Sequence, residues 1–129
     1  MVESQGKIVI GPGLNVWPHE LKTAEALAIA GYTVEFIRKS EIDHEKTADV
    51  LIDDAIWEFK APKSGKTNMI QVNMRRALHQ SNCIVFDSRR MKDLPNHVIE
   101  REVRLRAGEL KSLKHLLYVN RQGSVIAIK

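Results

Sequence analysis

Residues 48–60, ADVLI-DD-AIWEFK, are two apolar runs separated by only two aspartates. Each run has the length of a strand, and a two-residue connection closes neighbouring strands into an antiparallel hairpin. A doubly wound nucleotide-binding sheet fits poorly with such a pair, and neither GxGxxG nor GxxxxGK[ST] follows a strand. Alternation along the second strand puts Ile56, Glu58 and Lys60 on one side and Trp57 and Phe59 on the other. The aromatic pair is expected to pack on a helix, with the charges facing the other way. Residues symmetric about Asp53-Asp54 pair, which places Asp49 near the level of Glu58. Cross-strand neighbours lie roughly 4.5–5.5 Å apart at Cβ.

The rest of the chain supplies elements around this hairpin. GPGLNVW reads as a loop, and Pro18 starts a helix that runs HELKTAEALAIAG. Leu21, Ala24, Leu27 and Ala28 form its apolar side, and Gly31 is its stop. YTVEFI is a strand by its β-branched and aromatic content, and RKSEIDHEKT links it to the hairpin. Residues 67–81 predict an amphipathic helix with Ile70, Met74, Ala77 and Leu78 inward. CIVFD is a short buried strand. Residues 96–111 predict a helix burying Ile99, Val103, Ala107 and Leu110. LLYVN and SVIAI are two last strands around the turn RQGS. The expected class is mixed α/β or α+β, with a mixed central sheet flanked by helices, in a single domain spanning residues 1–129.

Charge is unevenly spread. Residues 1–59 hold five Lys/Arg and eleven Asp/Glu, and residues 60–129 hold fifteen and five. A basic half beside an acidic half points to a polyanion surface next to a carboxylate cluster. Two Tyr, three Phe and two Trp favour contact with backbone phosphates over an aromatic platform. No apolar run reaches the roughly 18 residues of a membrane span, and the N-terminus lacks the apolar segment of a secretory signal. The five scattered histidines and the single Cys83 give no zinc spacing, and Cys83 is expected to be a buried, inert thiol.

Asp49 and Glu58 at cross-strand distance repel unless a cation lies between them. A hard divalent ion takes such oxygen ligands and keeps waters for chemistry. Lys60 points the same way as Glu58, placed to hold an attacking water or to steady developing phosphate charge. The bland alternative is a solvated face on which Glu58 pairs with Lys60, a contact contributing at most about 1 kcal/mol.

The spacing Asp49, eight residues, Glu58-Phe59-Lys60 on a hairpin resembles the signature of the PD-(D/E)xK nucleases. The predicted order over residues 17–87 matches that superfamily's αβββαβ core, with an extra C-terminal helix and strands beyond it. Ala48 stands where the superfamily's name has proline. The superfamily also carries a helix carboxylate ahead of a Gly-aromatic pair. Gly31-Tyr32 is that pair here, Glu20 is the preferred match and Glu25 its competitor. Within the superfamily the chain is similar to the C-terminal tRNase toxin domains of contact-dependent growth inhibition systems, on PHELKTAEALAIAGY, ADVLIDDAIWEFKAPKSG, the Gln/Arg-bearing helix and CIVFD.

The resemblance implies a metal-dependent ribonuclease cleaving tRNA. Asp49 and Glu58, with Glu20, would hold Mg²⁺, with Mn²⁺ or Zn²⁺ as alternatives, and Lys60 would assist. It also implies a cognate immunity protein, and action in the cytoplasm of a target bacterium as part of a larger secreted or cell-surface protein. A free monomer without membrane insertion is expected. Lys63, Lys66, Gln71 and Arg75 are the candidate substrate contacts. Arg89-Arg90, Arg101, Arg104 and Lys111 form a further candidate phosphate track. The rivals are a DNA endonuclease of resolvase or repair type, metal-independent cleavage by a histidine pair such as His19 and His97, and a non-catalytic nucleic-acid-binding module.

Overall fold

The computed structural model describes residues 5–38 and 48–129; the side chains of Arg38, Ala48 and Asp49, and most of the connecting stretch RKSEIDHEKT, lie outside the described residues. The chain divides into two compact units, Met1–Trp57 and Glu58–Lys129. That boundary falls within two residues of the charge break at 59/60.

The first unit begins with β1 (Ile8–Ile10), followed by α1 (Pro18–Ile29), β2 (Val34–Arg38) and β3 (Ala48–Ile52). Strand β1 runs parallel to β2, and β2 pairs antiparallel with β3. The register sets Phe36 opposite Val50 and Val34 opposite Ile52, so these four share one side of the sheet. All four are buried together with Ala24 and Leu27 of α1. Helix α1 stops as the sequence requires. Gly31 has φ +103°, its N–H donates to the Ala28 carbonyl at 3.0 Å, and the Tyr32 N–H donates to the Leu27 carbonyl at 2.9 Å. This double closure needs a residue that tolerates positive φ.

Strand β4 (Ala55–Lys60) belongs to both units. Its first half pairs antiparallel with β3, Val50 opposite Trp57 and Ile52 opposite Ala55. Asp53 and Asp54 form the connection with φ 51° and 64°, the left-handed pair of a type I′ hairpin turn. Aspartate tolerates this backbone better than most residues, but glycine tolerates it best. Asp54→Gly is therefore expected to stabilise the hairpin by about 0.5–1 kcal/mol, read as a rise in the urea midpoint at unchanged slope.

The second half of β4 opens the second unit. It continues through α2 (Asn68–Leu78), β5 (Cys83–Asp87), α3 (Asn96–Glu109), β6 (His115–Val119) and β7 (Val125–Ala127). Strands β4, β5 and β6 are parallel and β7 turns back antiparallel. Ile70, Met74 and Ala77 of α2 and Ile99, Val103 and Ala107 of α3 join Ile84, Phe86, Leu116 and Tyr118 in one core. Both helices therefore cover the same side of the parallel strands, unlike a doubly wound sheet. Each fully buried aliphatic or aromatic side chain contributes roughly 1.5–3 kcal/mol of transfer free energy. Lys129 Nζ donates to the Ala107 and Leu110 carbonyls at 2.9 and 3.1 Å, occupying acceptors that the end of α3 leaves open.

The expected mixed α/β class is borne out. The order α1, β2, β3, β4, α2, β5 is the αβββαβ succession read from residues 17–87, with α3, β6 and β7 following. Strand β1 was not anticipated.

Candidate functional site

The hairpin delivers Glu58 and Lys60 to one side of β4. Their register partners on β5 are Ile84 and Phe86, both fully buried under α2 and α3. The two charged residues are half-buried. The expectation that they point away from the aromatic pair holds, but that direction is not open water: in the second unit it is the side that carries helices. Trp57 shares the side of Val50 and Phe36 in the first unit, where α1 packs on β2.

Glu25 is exposed, while Glu20 sits in the first turn of α1, half-buried. Its Oε1 accepts the Trp17 N–H at 3.1 Å, the carboxylate half of a capping box, and a negative charge here also meets the positive end of the helix. This cap was not legible beforehand, because Trp17 is an unusual N-cap residue. Two roles for Glu20 can be separated. Glu20→Ala removes the cap and is expected to cost about 1 kcal/mol. Glu20→Gln keeps an acceptor for Trp17, so lost activity in a Gln variant of unchanged melting temperature would mark a chemical role. Asp49 lies in β3 with Ile37 as its backbone partner.

On α2, Gln71 and Arg75 lie one turn apart and are brought together. In the amide orientation that satisfies both groups, the Gln71 oxygen accepts from Arg75 Nε at 3.3 Å and Nη2 at 3.1 Å. Gln71 is half-buried and Arg75 exposed, so Gln71 orients the guanidinium. Lys63 and Lys66 are exposed in the loop after β4. The arginines of α3 are less available than their spacing suggested. Arg104 pairs with Glu100 at 3.1 Å, and Arg106 pairs with Glu102 at 2.7 Å and Glu109 at 2.8 Å. These are the i, i+4 and i, i+3 pairs of a solvated helix face, so Arg104 is removed from the candidate phosphate track.

Cys83 is half-buried and burial pushes its thiol pKa up, only partly opposed by Lys114. A raised thiol pKa lowers the thiolate fraction, in line with an inert cysteine. Sequence reading missed Asp87, which is buried at the end of β5. Its Oδ1 accepts the Arg89 N–H at 3.1 Å and Nε at 3.0 Å, and its Oδ2 accepts Nη2 at 2.7 Å. The signal available was an acid ending an apolar run, directly before Ser88-Arg89-Arg90. Tyr118, with its pKa raised chiefly by burial, donates its hydroxyl to Asn96 Oδ1 at 3.0 Å.

Among the described residues no group of three or more His, Cys, Asp or Glu side chains forms a metal site. The ligand set expected for an ion includes Asp49, whose side chain lies outside those residues. What fits a hard cation is the donor chemistry, carboxylate oxygens at Asp49 and Glu58, of the type Mg²⁺ takes.

Residues 46–125 match the family described as the contact-dependent growth inhibition CdiA C-terminal domain. No curated protein matches the chain. Among solved structures, the chain resembles one from a CdiA-CT/CdiI toxin and immunity complex from Burkholderia pseudomallei. The TM-score is 0.69 at 16% identity, covering 96% of this chain and 99% of that one. At that identity the likeness speaks for the fold. The family match covers well over half of the chain and spans both units: the chain belongs to the CdiA C-terminal toxin domain family of contact-dependent growth inhibition.

Proposed function

We propose that this toxin domain is a metal-dependent ribonuclease of PD-(D/E)xK type that cleaves tRNA. The observation that carries the reading is the hairpin. Its two-residue turn fixes the register at Val50 opposite Trp57, which supports the expectation that put Asp49 level with Glu58. Its alternation puts Glu58 and Lys60 side by side within the expected succession of elements.

In this reading Asp49 and Glu58 hold a divalent cation, Mg²⁺ first, and Glu20 contributes directly or through a water. A bound divalent cation supplies an acidified water and neutralises phosphate charge. Lys60, two residues from Glu58 on the same side, hydrogen-bonds the attacking water and stabilises charge developing on the phosphate. Its register partner Phe86 is fully buried, which anchors the strand end. Lys63, Lys66, Gln71 and Arg75 contact the substrate. The domain acts as a monomer in the cytoplasm of the target cell, after delivery as part of a larger CdiA protein. An immunity protein neutralises it in the producer, a partner suggested by the toxin and immunity complex of its structural relative.

Substrate class is tested by incubating the protein with total RNA and with plasmid DNA, each in Mg²⁺, Mn²⁺, Zn²⁺ or EDTA. Discrete tRNA fragments that require metal are expected. Nicked plasmid with intact tRNA under every condition would favour a DNA endonuclease on the same core.

A further inference from the structure

The parallel strands of the second unit end side by side. Lys60 is the register partner of Phe86, and Asp87 that of Val119. The loops that follow β4, β5 and β6 are residues 61–67, 88–95 and 120–124, and they are tied together. Ser88 Oγ donates to the Val119 carbonyl at 2.7 Å. Arg121 Nη2 donates to the Met91 and Leu94 carbonyls at 2.7 and 2.5 Å. Gly65 lies so close to Asp93 that a Cβ would stand 3.2 Å from the Asp93 Cβ. Arg89, clamped by buried Asp87, reaches Gly123 of the third loop.

This joined edge is strongly basic. Residues 60–67, 87–95 and 120–124 contain seven Lys/Arg and two Asp. Arg89 is engaged by Asp87, and Arg121 by backbone carbonyls. Lys63, Lys66, Arg90 and Lys92 form no ion pair with a described residue, and all four keep exposed surface. The carboxyl ends of parallel strands are where open α/β sheets take their ligands. Cations held on cross-braced loops lose less freedom on binding than cations on independent loops.

We infer that these three loops form a phosphate-binding platform that grips the backbone of the polynucleotide beside Lys60, through Lys63, Lys66, Arg90 and Lys92. The inference rests on the ribonuclease reading for the identity of its ligand. It adds where the backbone is held, and it excludes the outer face of α3, where Glu100, Glu102 and Glu109 already neutralise two arginines. The Asp87–Arg89 pair is a positioning element, fixing the second loop against the third.

The test is the salt dependence of binding to fluorescently labelled tRNA in EDTA. Two double variants with the same change in charge are compared with wild type: Arg90→Ala/Lys92→Ala on the platform, and Arg104→Ala/Arg106→Ala on α3, whose guanidiniums are already ion-paired. All four side chains have solvent exposure, so both variants are expected to fold, checked by melting temperature. Each lost phosphate contact lowers the slope of log K against log salt by roughly 0.7–0.9. The platform variant is expected to lose about 1.4–1.8 in slope, and the α3 variant to keep the wild-type slope. Equal losses in both variants, or none in the platform variant, overturn the inference while the ribonuclease reading stands. A wild-type protein that binds no tRNA at any salt concentration sinks that reading itself.

Discussion

Lys60→Ala is expected to slow tRNA cleavage by two to three orders of magnitude while leaving the fold intact. Lys60 is half-buried at the end of β4 and forms no ion pair with a described residue. Among the described residues, removing its ammonium therefore breaks no ion pair, and a stability change within about 0.5 kcal/mol is expected. The loss in rate has a different origin. A preorganised donor aimed at charge that develops only in the transition state contributes roughly 10²–10³ in rate. Single-turnover cleavage of end-labelled tRNA, alongside a urea melt of the same protein, separates the two. A Lys60→Ala variant that cuts at the wild-type rate would leave Lys60 without a part in the chemistry.

The largest stability effect is expected at Phe86→Ala. Phe86 is fully buried, sits in the core beneath α2 and α3, and is the register partner of Lys60 on β4 and of Tyr118 on β6. Deleting its ring removes the transfer free energy of a large side chain and leaves a cavity that three neighbouring elements cannot fill, a cost of about 3–5 kcal/mol. That is a large share of the roughly 5–15 kcal/mol typical of a domain. The urea midpoint should fall steeply, and cleavage should fail on warming together with the loss of folded protein. Folded Phe86→Ala protein at low temperature should still bind tRNA, because the phosphate contacts lie on the loops.

The two expectations reflect how unevenly the sequence disclosed the molecule. The hairpin was legible because its information is local: two strand-length runs, two aspartates, and a turn whose positive φ values are the ones such a connection demands. The end of α1 was legible for the same reason, since Gly31 is the residue such a closure selects. Strand β1 was not. It is three residues long, and its pairing with β2 spans the whole of α1, so nothing in its immediate surroundings announces it. Gly6, just before it, is explained only by the fold: a Cβ there would collide with the Tyr32 carbonyl.

The candidate site shows the same division. The shared side of Glu58 and Lys60 follows from alternation, but the identity of that side does not, because it depends on where α2 and α3 return. Glu20 was preferred as the helix carboxylate ahead of Gly31-Tyr32, while its bond to the Trp17 N–H depends on where the chain enters α1. Arg104 was read as a phosphate contact, yet Glu100, four residues earlier, already held its partner position. Asp87 escaped notice because a buried acid is recognisable only once its burial and its guanidinium partner are seen.

The central claim is that Asp49 and Glu58 hold the ion on which cleavage depends. Asp49→Ala tests it most directly, assayed with wild type on end-labelled tRNA across a Mg²⁺ titration and in EDTA. The account predicts discrete fragments from wild type that rise with Mg²⁺ and vanish in EDTA, and none from Asp49→Ala at any Mg²⁺ concentration. Wild-type cleavage that persists in EDTA, or an Asp49→Ala variant that cuts as fast as wild type, would contradict it.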